Sequence, residues 1–291
     1  MLALQFLVTG FLTGGIYALV AVTLVLVYKS TRIFNFAVGE LTALGGFLFF
    51  SFIVWCKFPP VLALLSTLIM AVFIGLLVER LVLRPLLNQP ILSIITATLA
   101  LSSILNGLML IIWTAYPRVL PKNILPGKTW VIGQIVITNE LSWAVMVAAV
   151  SFIILAYFFK KTRTGLRMRA VSEDHETSMS CGTDIVFIFI VTWAISVMVG
   201  SLSGILIGNR VSLQAGFTSH IGLKVFPAVL FGGLESIVGA VVGGLAIGII
   251  ESLVGGLIYP PLAEISSYIL LLLVLIFIPE GLFGLKRIER V

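Results

Sequence analysis

Apolar residues fall along this chain in long unbroken runs, at about 2–28, 35–56, 61–79, 91–113, 141–159, 185–208, 235–258 and 262–279, with a shorter run at 223–232. No Asp, Glu, Lys or Arg occurs between Met1 and Tyr28. A run of roughly 20 residues rising about 1.5 Å per residue matches the hydrocarbon thickness of a bilayer. Lipid offers the backbone no hydrogen-bond partner, so only helices and closed barrels cross it. These runs lack the period-two alternation of barrel strands and read as helices. The pattern predicts an all-α polytopic transmembrane bundle of about eight full spans plus one short or broken crossing. No polar segment between the runs is long enough for a soluble domain, so 1–291 reads as a single transmembrane domain. Pro59-Pro60 and Pro260-Pro261 fall between spans, where a missing N–H matters least.

At 60% hydrophobic and 10% charged residues, with mean hydropathy +1.20, a water-soluble globule is excluded. A net charge of +6 would suggest a nucleic-acid partner in a soluble protein. Here it is the excess of Lys and Arg that cytoplasmic loops carry, and no nucleic-acid partner is expected. Twelve basic residues fall in one alternating set of loops: Lys29, Arg32, Arg80, Arg84, the five from Lys160 to Arg169, Lys286, Arg287 and Arg290. Six fall in the other: Lys57, Arg118, Lys122, Lys128, Arg210 and Lys224. The heavier set is expected in the cytoplasm, with the N-terminus outside and the tail inside. Those ends require an odd number of crossings, which makes 223–232 a crossing; Gly222, Pro227, Gly232 and Gly233 suit a broken helix at membrane depth. No cleavable signal precedes the first span, which is expected to stay in the membrane. Cys56 and Cys181 are unsuited to a disulfide, and His175 and His220 lie too far apart to predict a metal site.

The loop 160–184, KKTRTGLRMRAVSEDHETSMSCGTD, is the most charged stretch. Ser172 precedes Glu173, Asp174 and Glu176, a pattern that predicts a short helix from Ser172 to Cys181 with acids in its first turn. An acidic cluster is repelled by anionic lipid, so this surface helix fits a cytoplasmic protein partner. Gly239–Gly243 and Gly244–Gly248 are G-x-x-x-G rows that allow close helix approach. Gly127-Lys128-Thr129 resembles the end of a phosphate loop, but Lys122 stands where that loop requires glycine; ATP, if used, belongs to another chain. Glu40, Glu79, Glu235, Glu251 and Glu264 lie within or near spans. Glu79 reads as an interfacial partner of Arg80 and Arg84, and Glu251 as a deep carboxylate with no mid-span cation to pair with. Most of these acids read as hydrogen-bonded structural groups, with proton relay as the alternative.

Several of these segments, taken in order, resemble one family. Arg32-Ile33-Phe34-Asn35-Phe36-Ala37-Val38-Gly39-Glu40 resembles the I-N-F-A-x-G-E segment of branched-chain amino acid ABC transporter permeases. Glu79-Arg80 with Arg84-Pro85 resembles the family's E-R…R-P, and Thr162-Arg163-Thr164-Gly165 with Arg169-Ala170 and Asp174 its cytoplasmic coupling loop. Gly222-Leu223-Lys224-Val225-Phe226, Gly232-Gly233, Ser236, Gly239-Ala240, Gly243-Gly244 and Glu251 follow its second-half pattern, and Pro279-Glu280-Gly281-Leu282-Phe283-Gly284 resembles its ending. The similarity is greatest to the H-type, shorter permease subunit.

The resemblance implies a bacterial inner-membrane importer subunit that catalyses nothing itself. It implies pairing with a second, longer permease, two cytoplasmic ATPases that hold ATP and Mg, and a periplasmic solute-binding protein. Arg163, Gly165, Arg169, Glu173, Asp174 and Gly182 would then serve ATPase coupling. Asn35, Glu40, Phe226, Gly232, Gly233 and Gly239 are candidates for the translocation path at the partner-permease interface; the alternative is that Asn35 caps a helix and the glycines only pack. Related permeases also carry urea, short amides and aromatic or other carboxylates. A stand-alone ion-coupled carrier using Glu40, Glu235 or Glu251 is a further alternative, although only one broken element is visible in the chain. Three departures from the family pattern stand out: Glu235 in place of a small residue, Ser178–Asp184 in place of an Ala/Leu-rich coupling helix, and Val38 in place of a frequent His.

Overall fold

A helix that is apolar around its whole circumference belongs in an interior. The first helix, α1 (Leu2–Thr31), has this character, and its Leu19, Val20, Ala21 and Val22 are completely buried. The computed structural model describes residues 2–86, 89–121, 124, 127–132, 135–278 and 280–284, with the side chains of 132, 175–176, 217–221 and 223 outside that description. Lys122, Pro279 and the basic tail Lys286, Arg287 and Arg290 therefore lie outside the described residues.

The remaining spans are α2 (Val38–Phe50), α3 (Pro60–Val78), α4 (Ile91–Trp113), α5 (Asn139–Lys161), α8 (Ile185–Arg210), α10 (Ile237–Leu257) and α11 (Leu262–Phe277). Two short helices, α6 (Arg163–Glu173) and α7 (His175–Ser180), link α5 to α8, and α9 (Phe217–Gly232) fills the shorter apolar run. α2 runs on through a π-helical turn to Trp55, and α3 through a similar turn and a 3-10 turn to Leu86. Among the described residues eight helices are long and apolar enough to cross a bilayer, so the protein is a polytopic helical membrane protein. The core gathers on α1, with Ala144, Ala148 and Leu155 of α5, Ile188, Val199 and Leu206 of α8, and Ala240 and Ile247 of α10. α11, α3 and α4 expose large apolar side chains such as Ile69, Ile111 and Ile276 that suit a lipid-facing rim.

The two glycine rows of α10 meet different neighbours. Five residues separate Gly239 from Gly244, which turns the second row roughly 140° around the helix. A Cβ added at Gly239 or Gly243 would strike the α9 backbone at Gly232 or Ala228. One added at Gly244 or Gly248 would strike α1 at Ala18 or Gly14. α10 is thus clasped at backbone distance on two sides.

Hydrogen bonds fix which ends share a face. On one face the Gln5 side-chain amide bonds both polar groups of Val136, at 2.9 Å each, and the Arg118 and Leu213 backbones pair at 2.8 and 2.7 Å. On the other, Arg32 pairs with Glu235, and Leu282 and Phe283 donate to the Phe231 and Gly232 carbonyls at 2.9 and 3.0 Å. α9 begins beyond Leu213 and ends beside Glu235, so it runs from the first face to the second. At 16 residues it is about 24 Å long, short of a full hydrocarbon core. Its helix is continuous through Pro227 and opens at Phe217, six residues before the expected run; the breaks are at its ends, where Gly216 and Gly233 take φ of 85° and 102°. Phe217–Lys224, expected as loop, is the first half of this helix.

One element was not anticipated. Strands β1 (Trp130–Ile132) and β2 (Ile135–Ile137) pair antiparallel with Trp130 opposite Ile137, and the ladder docks on α1 through Gln5. The hairpin signal was present in WVI-GQ-IVI, two triplets of aromatic and β-branched residues around a Gly-X pair.

Replacing Gly244 by Leu is expected to force α10 off α1 and destabilise the protein by at least about 2 kcal/mol. Replacing Gly107, where an added Cβ meets nothing within 4 Å, is expected to be neutral. Thermal denaturation in detergent followed by size-exclusion chromatography checks this; equal melting of the two variants would refute the seam.

Candidate coupling surface and translocation path

Thr162 starts the coupling segment by accepting the Gly165 N–H at 3.0 Å, the side-chain cap of α6. Gly165, Met168, Val171 and Ser172 form the buried face of α6, while Arg163, Arg167 and Arg169 are exposed. Gly165 is where α6 passes over the α5 backbone at Phe158 and Phe159.

The single helix expected from Ser172 to Cys181 does not form. Asp174 is extended, with φ −149° and ψ 119°, and its carboxylate accepts the Thr177 N–H and hydroxyl at 3.0 Å each. The cap of α7 is therefore Asp174, not Ser172, and Glu173 closes α6 instead of opening the next helix. An Asp–x–x–Thr cap satisfies two groups at once, which outweighs continuing the helix through 174. Gly182 leaves α7 at φ 77°, and Asp184 caps α8 by accepting the Phe187 N–H at 3.1 Å.

Arg32 ties this segment to the membrane core. It stands just past α1 at φ 58°, a strained value for a residue with a side chain. Its guanidinium donates to the Ser172 carbonyl at 2.9 Å and pairs with Glu235 in the turn before α10. Glu235, one of the three departures noted in the sequence, is thus the counter-charge of Arg32.

The six path candidates separate into two places. Asn35 is buried in the segment before α2, and its Oδ1 accepts the Ala37 N–H at 3.0 Å. Glu40 is buried in the first turn of α2. Phe226 stacks on Phe34 at 5.1 Å between ring centroids and meets Phe36 at 5.5 Å, while a Cβ on Gly222 would strike Gly39. The two halves of the chain therefore meet where Phe34, Phe36 and Gly39 touch Phe226 and Gly222, in the segment that carries Asn35 and Glu40. Gly232, Gly233 and Gly239 lie apart, packed in the α9–α10 turn against Phe283 and Gly284. None of the six lines either cavity described here.

Sequence reasoning missed a polar cluster in the other half of the bundle. Glu251 of α10 accepts the Tyr17 hydroxyl at 2.7 Å and the Ser267 hydroxyl at 2.8 Å, and lies 3.7 Å from Lys224. Lys224 also lies 3.6 Å from Glu264. Glu251 therefore does have a cation, contrary to expectation, because α9 starts early enough to carry Lys224 inside the helix. The cluster borders a cavity of about 350 Å³ that reaches Thr9, Thr13 and Arg210 near the Gln5 face. Glu79, expected as a partner of Arg80 and Arg84, lies 3.7 Å from Arg84 and is buried within the protein. A second cavity, of about 760 Å³, opens on the Arg32 face between α1, α5, α6 and α10.

No solved structure matches the chain. It is 27% identical to the high-affinity branched-chain amino acid transport system permease protein BraD of Pseudomonas aeruginosa, across 99% of this chain and 98% of that protein. Identity to the LivH permease protein of Escherichia coli K12 is 27%, across 99% and 97%. A probable LivH permease of Methanocaldococcus jannaschii is 26% identical, across 95% and 92%. Residues 6–279 match the model of the permease component of branched-chain amino acid transport systems. With that match over nearly its whole length, on a fold with eight helices long and apolar enough to cross a bilayer among the described residues, the chain belongs to this permease family.

Proposed function

We propose that the protein is the shorter permease subunit of an ATP-driven importer of branched-chain or related amino acids in the bacterial inner membrane. A second permease completes the path, two ATPase subunits holding ATP and Mg dock on α6–α7, and a periplasmic binding protein delivers the solute. The observation that carries this reading is the Arg32 clasp. It joins the surface helix pair to α1 and to the start of α10, so a push on α6–α7 reaches the transmembrane core as a rigid-body movement. Urea, amides and small carboxylates are the competing cargo. An ion-coupled carrier is disfavoured because Glu251 is already engaged by two hydroxyls and Lys224.

The path runs along the partner-permease interface past Asn35, Glu40 and Phe226, with Gly232, Gly233 and Gly239 allowing α9 and α10 to shift. The Phe34–Phe36–Phe226 cluster is its apolar constriction. Phe226→Ala is expected to lower uptake at least severalfold while leaving co-purification with the partner permease unchanged; equal loss of both would make the cluster structural.

Coupling is tested through the Asp174 cap. Asp174→Ala removes a cap worth about 1 kcal/mol, roughly a fivefold loss of formed α7, whereas Asn retains it. In the reconstituted transporter, substrate-stimulated ATP hydrolysis is expected to fall in the alanine variant and survive in the asparagine one. Unchanged stimulation in both would sink the coupling assignment.

Orientation is read with the native cysteines, both exposed and on opposite faces. In intact spheroplasts a membrane-impermeant maleimide is expected to label the Cys181→Ser protein at Cys56 and to leave Cys181 unlabelled in Cys56→Ser. The opposite pattern would invert the topology.

A further inference from the structure

The 760 Å³ cavity on the Arg32 face is built on a polarity gradient. Lys160 lies in the last turn of α5 and Lys29 in the last turn of α1, the level at which helices leave the hydrocarbon. Arg169 and Arg32 complete a ring of four basic side chains, faced by the two acids Glu173 and Glu235. Arg32 and Glu235 neutralise each other, and no salt bridge joins Lys29, Lys160 or Arg169 to a carboxylate among the described residues. One to two turns deeper the walls become apolar. Phe152, Leu155 and Phe159 of α5 face Ile237 and Val241 of α10 across the flank of α1. From Lys160 to Phe152 the descent is about 12 Å. Ala156 and Val238 on the two walls are exposed, so the cleft opens sideways to the bilayer as well as toward water.

A cleft basic at the headgroup level and apolar below it matches one kind of molecule. A soluble anion has no use for the apolar half. A neutral zwitterionic lipid leaves three cations facing a single free carboxylate. A partner helix would leave the basic ring without counter-charge unless it brought acids of its own. We infer that this cleft binds an anionic phospholipid, its phosphate against Lys29, Lys160 and Arg169 and its acyl chains along α5 and α10. Basic pockets between transmembrane helices are the usual setting for such headgroups. Arg169, Glu173 and Ser172 belong to α6, so the bound lipid would brace the coupling segment against α1 and α5. The inference depends on the fold alone and stands independently of the transported substrate.

The test uses the full-length chain, delipidated in detergent and titrated with phosphatidylglycerol or phosphatidylcholine under native mass spectrometry. Phosphatidylglycerol is expected to be retained at least about tenfold more strongly than phosphatidylcholine, and Lys29→Gln/Lys160→Gln/Arg169→Gln to abolish that preference. Arg163→Gln/Arg167→Gln, exposed on α6 outside the cleft, is expected to keep it. Val241→Trp, which fills the apolar half and leaves every charge in place, is expected to weaken lipid retention in protein that still elutes as a folded species. Three results would each overturn the inference: equal retention of the two lipids, a preference that survives both the triple variant and Val241→Trp, or complete displacement by soluble glycerol phosphate, which would mark a phosphate site. Exclusion of phosphatidylglycerol by a co-purified partner permease would overturn it in favour of a protein interface.

Discussion

Gly244 and Gly248 bring α10 into backbone contact with α1, and the arrangement of the Arg32 face follows from that contact. In lipid there is no hydrophobic force between helices, so association depends on close packing and on hydrogen bonds across the contact. α1 supplies Gly10, Gly14 and Ala18 along the facing stripe, and Ser252 of α10 donates to the Phe6 carbonyl at 2.7 Å near its end. With α10 so placed, its other glycine row, Gly239 and Gly243, holds α9, and the turn between them presents Glu235 to Arg32. A larger residue at Gly244 or Gly248 would displace α9 as well as α10.

The same packing decides which charges the membrane tolerates. A charged side chain at mid-bilayer costs about 3 kcal/mol by insertion scales, while an interhelical hydrogen bond returns about 0.6 kcal/mol. The hydroxyls of Tyr17 and Ser267 therefore cannot offset an ionised Glu251 by themselves. Lys224 supplies a counter-charge at 3.7 Å from within α9. The cluster draws on α1 and on α9, α10 and α11, joining the first helix to the last three.

At the opposite face the charges act as connectors. Arg32 accepts a left-handed backbone to reach the Ser172 carbonyl and Glu235 together, so the end of α1, the end of α6 and the start of α10 meet at one guanidinium. The caps by Thr162, Asp174 and Asp184 divide the coupling loop into two short helices with defined ends. A segment articulated in this way is tied to the transmembrane core at one residue, as the proposed coupling role requires.

Runs of apolar residues determined the class of fold by themselves, because span length and backbone satisfaction in lipid are properties of local sequence. The eight long spans fall within a few residues of the runs, and the family motifs were legible as ordered strings. The glycine rows were legible too, but not their partners, since the 140° between them acquires meaning only when two helices are in place. Asp174 was misassigned because Ser172 and Asp174 are both good caps, and the choice depended on Thr177 and on Arg32 holding the Ser172 carbonyl. Only tertiary structure paired Lys224 with Glu251, buried Glu79 and joined Arg32 to Glu235. Each of those contacts links residues on different elements, and no periodicity along one chain encodes which charge another helix will bring beside it.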